Sequence, residues 1–238
     1  MVKIILSGYD GTLLFGSIEK NIKAVHKWRA AGRKFGIITG RSLDSMQRQL
    51  AKYPLEHDYM GLNNGAVMVD GSHNIFYYQT IHFDLAWVLA DFLTKLPVDE
   101  VTFWGVTGSK MHSVPYDTTK ISMKTANFEQ AKQVAKQLSD MFSDRFIVTP
   151  MAKQADNYGY IEIVPEDTGK ERAAARILSR EGLGGFEVAI IGEAYDELEM
   201  IKKYSGYAVD NATPEVKAVA TRIFLSVADL IDELIAED

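Results

Sequence analysis

Cysteine is absent from this chain of 238 residues. That absence excludes disulfides, thiolate zinc sites and cysteine nucleophiles together, and leaves oxygen or imidazole as the only ligands for a metal. The five histidines, His26, His57, His73, His82 and His112, show no metal-ligand spacing and no His-Glu-x-x-His pattern, so each reads as structural or surface. A basic excess is also missing. Lys and Arg number 26 against 32 Asp and Glu, a formal net charge of -6. Nucleic acids and anionic membranes recruit clustered cations, so neither is expected as a partner.

Long apolar runs are lacking too. None approaches the roughly 18 residues of a membrane span, and Met1 to Ser7 is too short an apolar stretch for a signal peptide. A cytoplasmic protein is the expectation. No G-x-G-x-x-G follows a strand and no Gly-x-Ser-x-Gly elbow occurs, while Gly169-Lys170-Glu171 has neither the upstream glycine nor the following hydroxyl of a P-loop.

What the chain does contain is 47% hydrophobic and 24% charged residues, the balance of a globular domain. Short apolar runs alternate with helical patterns at both ends, which predicts a parallel sheet with crossover helices. Val2 to Leu6 reads as a strand. Ser17 caps a helix whose Ile18, Ile22, Val25 and Trp28 share one face, with Gly32 beyond its end. Phe35 to Ile38 and the helix capped by Ser42 form a second unit, and Ala66 to Val69 with Ile75 to Gln79 read as a hairpin.

From about His82 the order changes to α-β-β twice over. Extended segments are expected near Val101 to Val106, Met111 to Val114, Lys120 to Met123, Phe146 to Val148 and Tyr160 to Val164. The alternating order resumes at Thr168, with a helix expected from Asp196 to Tyr204. The predicted architecture is an α/β core of residues 1–80 and 166–238, with an inserted α+β unit at 81–165.

Ligands of open parallel sheets gather at the carboxyl ends of the strands. Those loops here are Gly8-Tyr9-Asp10-Gly11-Thr12, Thr39-Gly40-Arg41 and Gly192-Glu193-Ala194-Tyr195-Asp196-Glu197. With Lys170 opening a helix, they offer amides and a cation for phosphate, and carboxylates for a hard ion such as Mg2+. Each loop alone is ordinary turn or helix-cap chemistry. It is their order, with the insert between the second and the lysine, that is specific.

In these motifs the chain resembles the haloacid dehalogenase-like phosphatases, in particular the Cof-type branch (subfamily IIB), over nearly its whole length. The resemblance implies a Rossmann-like core with an α+β cap of C2 type, and Mg2+-dependent hydrolysis of small phosphorylated metabolites such as sugar phosphates. Carried over residue by residue, it places the nucleophile at Gly8, the general acid/base at Asp10, phosphate contacts at Thr39, Gly40 and Lys170, substrate-side groups at Asn64 and Asp196, and metal ligands at Asp10, Glu193 and Glu197.

Three departures stand out. Gly8 has no carboxylate where the family has its nucleophilic Asp, so the covalent aspartyl-phosphate route is closed. Glu193 and Glu197 stand for Asp, and Asp196 for Asn, which puts a like charge beside a phosphate. Strand alternation turns Ser7 and Tyr9 away from the position that Gly8 faces. The expectation is a degenerate member with absent or very weak phosphatase activity. The alternatives are a non-catalytic protein that binds a phosphometabolite or acts in regulation, and a hydrolase using a rearranged metal site.

Overall fold

The computed structural model describes residues 1–108, 110–111, 113–142, 145–152 and 157–237, with backbone alone at 110–111. His112 and part of the extended segment expected at Met111 to Val114 lie outside the described residues. The first elements are β1 (Ile4–Ser7), α1 (Ile18–Ala30), β2 (Lys34–Ile38), α2 (Leu43–Lys52), β3 (Tyr59–Leu62), β4 (Val67–Asp70) and β5 (Ile75–Tyr78). Then come α3 (Phe83–Leu93), β6 (Asp99–Trp104), β7 (Lys110–Met111), β8 (Lys120–Thr125), α4 (Phe128–Phe142), β9 (Phe146–Ala152) and β10 (Gly159–Pro165). The chain closes with α5 (Lys170–Glu181), β11 (Val188–Gly192), α6 (Leu198–Lys203), β12 (Tyr207–Val209), α7 (Pro214–Val219), β13 (Ile223–Phe224) and α8 (Val227–Ala236).

Eight strands form one sheet in the order β13-β12-β11-β1-β2-β3-β4-β5. From β13 to β3 every neighbouring pair is parallel, and β4 and β5 add an antiparallel edge. Chain order reverses at β1, between β11 and β2, which is where such sheets open a crevice. Ser17 and Ser42 cap α1 and α2 through their hydroxyls, as their positions in the sequence imply.

Strand alternation divides the core. Ile5, Phe35, Ile37 and Met60 pack with Trp28, Leu230 and Ile231 on one face, while Ile4, Leu6, Ile38 and Ile190 meet Ala173, Ile177, Ile201 and Val216 on the other. Each of the Val, Leu, Ile, Phe and Met side chains among them, fully buried, contributes roughly 1.5–3 kcal/mol. β3 is a strand that the sequence reading does not contain. Gly61 weakens its propensity, yet a Cβ there would stand 3.1 Å from the Cβ of Ala173, so the glycine is what lets α5 lie against the sheet.

β7-β6-β8-β10-β9 form a second, antiparallel sheet. One of its faces buries Phe103, Ile121, Met123, Ile161 and Ile163 against Leu89 and Leu93 of α3 and Val134 and Leu138 of α4. Alternation sends Trp104, Lys120, Ser122 and Glu162 to the opposite face, which is turned to the loops of the large sheet. The helix expected from Asp196 begins instead as a 3-10 turn, Tyr195–Glu197, before α6.

Candidate functional site

The loops after β1, β2, β3 and β11 meet with the start of α5 at the carboxyl end of the large sheet. Two close backbone approaches place Lys170. Asn63, Asn64 and Gly65 all take positive φ, and Gly169 donates its N–H to the Asn64 carbonyl at 2.7 Å. A Cβ on Gly65 would come within 2.7 Å of the Gly169 carbonyl oxygen. Glycine is required there both by its conformation and by the contact.

Lys170 is 8% exposed and reaches Asp196 at 2.9 Å and Glu197 at 3.0 Å. Burial works against its charge, but the two carboxylates win and hold its pKa above that of an ordinary lysine. Glu197 is 1% exposed. Its Oε1 takes the Lys170 bond, and its Oε2 accepts the backbone N–H of Glu193 at 2.6 Å and of Ala194 at 3.2 Å. Glu193 lies over Gly11, where a Cβ would stand 2.6 Å from its Oε1. Burial first, and then repulsion by Glu197, pushes the Glu193 pKa up to about 8; Lys170 opposes this, and Asp196 and Asp10 add to it. The carboxyl poised between its two forms is therefore Glu193.

Asp10 is bound at both oxygens by Arg41, at 2.7 and 2.6 Å, and this bond raises the Arg41 pKa. The side chain of Asp10 is half exposed. Thr39 is buried, with its hydroxyl accepting from the Arg41 N–H at 3.1 Å. The Gly40 carbonyl accepts from Lys120 at 2.5 Å, and Lys120 also pairs with Glu162 at 2.7 Å. Asn64 donates to the other oxygen of Glu162 at 2.7 Å, and Asn63 to Thr119 at 2.9 Å. The small sheet is thus tied directly to the loops after β2 and β3.

Gly8 donates its N–H to the Ile191 carbonyl at 3.0 Å. Beside it, Ser7 is buried with its hydroxyl donated to the Gly8 carbonyl at 2.7 Å, and Tyr9 is buried beneath the Arg41 guanidinium. Neither is placed to attack a ligand. Arg41 stands in a loop that the sequence reading names without giving this residue a role, and Lys120 and Glu162 fall in segments that it reads only as extended. Only the pairing of β8 with β10, which sets Glu162 opposite Ser122, brings Lys120 and Glu162 together.

The site can be tested for Mg2+ by asking what its donors already do. Among the described residues no three acidic or histidine side chains are grouped to hold a metal ion. Both oxygens of Asp10 are taken by Arg41, and both of Glu197 by N–H donors. Mg2+ needs one or two carboxylate oxygens free to join waters in its octahedron. The arrangement does not fit the ion.

A parallel sheet whose chain order reverses at β1, loops and a helix-opening lysine gathered at its carboxyl end, and a second, antiparallel sheet with its own helices define the class of α/β protein to which the chain belongs. The chain belongs to the haloacid dehalogenase-like hydrolase family, which it matches over residues 5–116 and 107–230. It is 25% identical over 249 residues to the Bacillus subtilis (strain 168) protein named "Putative phosphatase YxeH", with 92% of each chain covered. A haloacid dehalogenase-like hydrolase from B. subtilis has the same fold, with a TM-score of 0.84 at 17% identity, covering 98% of this chain and 100% of that one. Another, from Bacteroides thetaiotaomicron, gives 0.79 at 18% identity over 98% and 100% of the two chains.

Proposed function

We propose that this protein descends from Mg2+-dependent phosphatases of small phosphorylated metabolites, such as sugar phosphates, and has absent or very weak phosphatase activity itself. In this reading residues 1–80 and 166–238 are the core and 81–165 the cap, and Asp10, Thr39, Gly40, Asn64, Lys170, Glu193, Asp196 and Glu197 keep the places of the ancestral site. The observation that carries the proposal is the state of its charges. Position 8 has no carboxylate, and each cation of the site, Arg41, Lys120 and Lys170, is already paired with carboxylate oxygens. A phosphate would have to break the buried pairs of Lys120 and Lys170 before it gained new ones, and position 8 offers no carboxylate to receive the phosphoryl group.

The test is an assay with a generic aryl phosphate and Mg2+, beside Asp10→Asn. The expected result is no turnover above background in either protein. Robust turnover by the unmodified protein, abolished in Asp10→Asn, would overturn the proposal.

One observation favours a role in binding. Thr12 Oγ1 and Asn64 Oδ1 are buried without a hydrogen-bond partner in the protein, and Asn64 lies against the Gly40 loop. Buried polar atoms without partners cost stability, so a ligand that satisfies them is favoured. On this reading a phosphometabolite raises the melting temperature without being consumed. A panel of sugar phosphates that leaves the melting temperature unmoved would refute it.

A further inference from the structure

Gly8 has φ -57° and ψ 159°, which any L-residue adopts freely, so the backbone does not require glycine here. The requirement comes from a neighbour. A Cβ on residue 8 would stand less than 3.0 Å from Glu197 Oε1, and 2.7 Å from Thr12 Oγ1. A Cβ on Gly192, at the end of the adjoining strand, would likewise fall within 3.0 Å of Glu197 Oε2. The Glu197 carboxylate therefore lies flat across two glycines. It cannot swing aside, because Lys170 holds one oxygen, the Glu193 and Ala194 amides hold the other, and the side chain is 1% exposed.

We infer that residues 8 and 197 form an exchanged pair, in which the longer Glu197 occupies the room of the missing residue-8 side chain and supplies the carboxylate that holds Lys170 in place. An Asp at 197 would be one methylene shorter and would not reach as far over Gly8. Glu197 is not a substitute nucleophile: its oxygen sits close to where Cβ of residue 8 would be, whereas the oxygens of an Asp lie two bonds farther on, and its acceptor positions are already engaged. It is a positioning residue, acting through Lys170. The inference rests on the reading of position 8 as the place of the lost nucleophile. Its test does not depend on activity, so turnover by the unmodified protein would sink the functional proposal and leave this one standing.

The experiment is a double-mutant cycle by urea unfolding on the wild type, Gly8→Ala, Glu197→Asp and Gly8→Ala/Glu197→Asp. In the wild-type background Gly8→Ala raises the unfolding equilibrium constant roughly tenfold or more, the ordinary cost of overpacking a buried site. In the Glu197→Asp background the same change costs clearly less, the contact with Thr12 Oγ1 at 2.7 Å being the one that remains. Equal penalties in both backgrounds, or a harmless Gly8→Ala in the wild type, would overturn the inference. Should Gly8→Ala fail to fold, recovery of a folded double variant supports the exchange, and failure of both refutes it. A second arm reads the hold on Lys170 rather than packing: the Lys170 ammonium protons, followed by 15N NMR, exchange more slowly in the wild type than in Glu197→Gln, which keeps the side chain's size and removes its charge. Equal exchange in the two proteins would overturn the pairing.

Discussion

Replacing Lys170 by Met would show how much of the stability of this protein depends on one buried cation. Lys170 is 8% exposed, and its two partners, Asp196 and Glu197, have side chains 14% and 1% exposed. Met retains most of the volume of the lysine stem, so the cavity contribution is small. What is lost is the charge, and two carboxylates are left facing each other in a site already crowded by Glu193. Removing one partner of a buried pair costs roughly 3–5 kcal/mol. Against a total stability on the order of 5–15 kcal/mol, that is a large fraction. Arg41→Ala is the control: its partner Asp10 has a side chain 52% exposed, and such pairs are worth about 0–1 kcal/mol. Urea unfolding followed by circular dichroism, with unchanged m-values, measures both. If Lys170→Met cost less than about 1 kcal/mol, no more than an exposed pair, the picture of an electrostatically knotted site would be refuted.

Gly65→Ala should cost about 1–3 kcal/mol, because φ is +85° and its Cβ would press on the Gly169 carbonyl oxygen; a loss below 0.5 kcal/mol by thermal melting, the usual range of a neutral surface change, would count against this account of how Lys170 is placed. Lys120→Met frees the Gly40 carbonyl and leaves Glu162 without its cation, so amide exchange across residues 39–41 should quicken; unchanged exchange would show that this pair does not hold the two sheets together. Asp58 is pulled two ways: burial raises its pKa, but the paired bonds from Arg29 and the Phe35 N–H lower it more. Its contribution is full above an unfolded value near 3.9 and is lost as pH falls through the lower folded value. Asp58→Asn should therefore flatten the acid limb of the stability profile, and an unaltered acid limb would refute that assignment.

Most of the architecture was legible because the signals were local. Apolar runs of strand length, Ser17 and Ser42 as caps and glycines beyond helix ends mark the alternating order, and the loops after β1, β2 and β11 follow from it. β3 was not legible, since Gly61 looks like a strand breaker until α5 is laid against it. The residue types of the site could be read, but not their partners. The resemblance places an acid/base and metal ligand at Asp10, yet Arg41 holds both its oxygens; it sets the charge of Asp196 against a phosphate, yet Asp196 shares with Glu197 the neutralisation of Lys170. Lys120 and Glu162 carry no motif at all. Such facts belong to register and to packing between sheets, which no local pattern encodes.

The flat seating of the Glu197 carboxylate over Gly8 also bears on descent. An Asp codon and a Gly codon differ by a single base, so the side-chain loss proposed at position 8 is, by codon alone, one that a single further mutation undoes. On the proposed descent, with the neighbouring glutamate in the room of that side chain, the way back is blocked on the first step: a restored aspartate meets a buried carboxylate held at both oxygens, and a shortened residue 197 alone loosens its hold on Lys170. The two changes would have to arrive together, from positions at opposite ends of the chain. On that reading, geometry of this kind turns a reversible loss into a one-way gate.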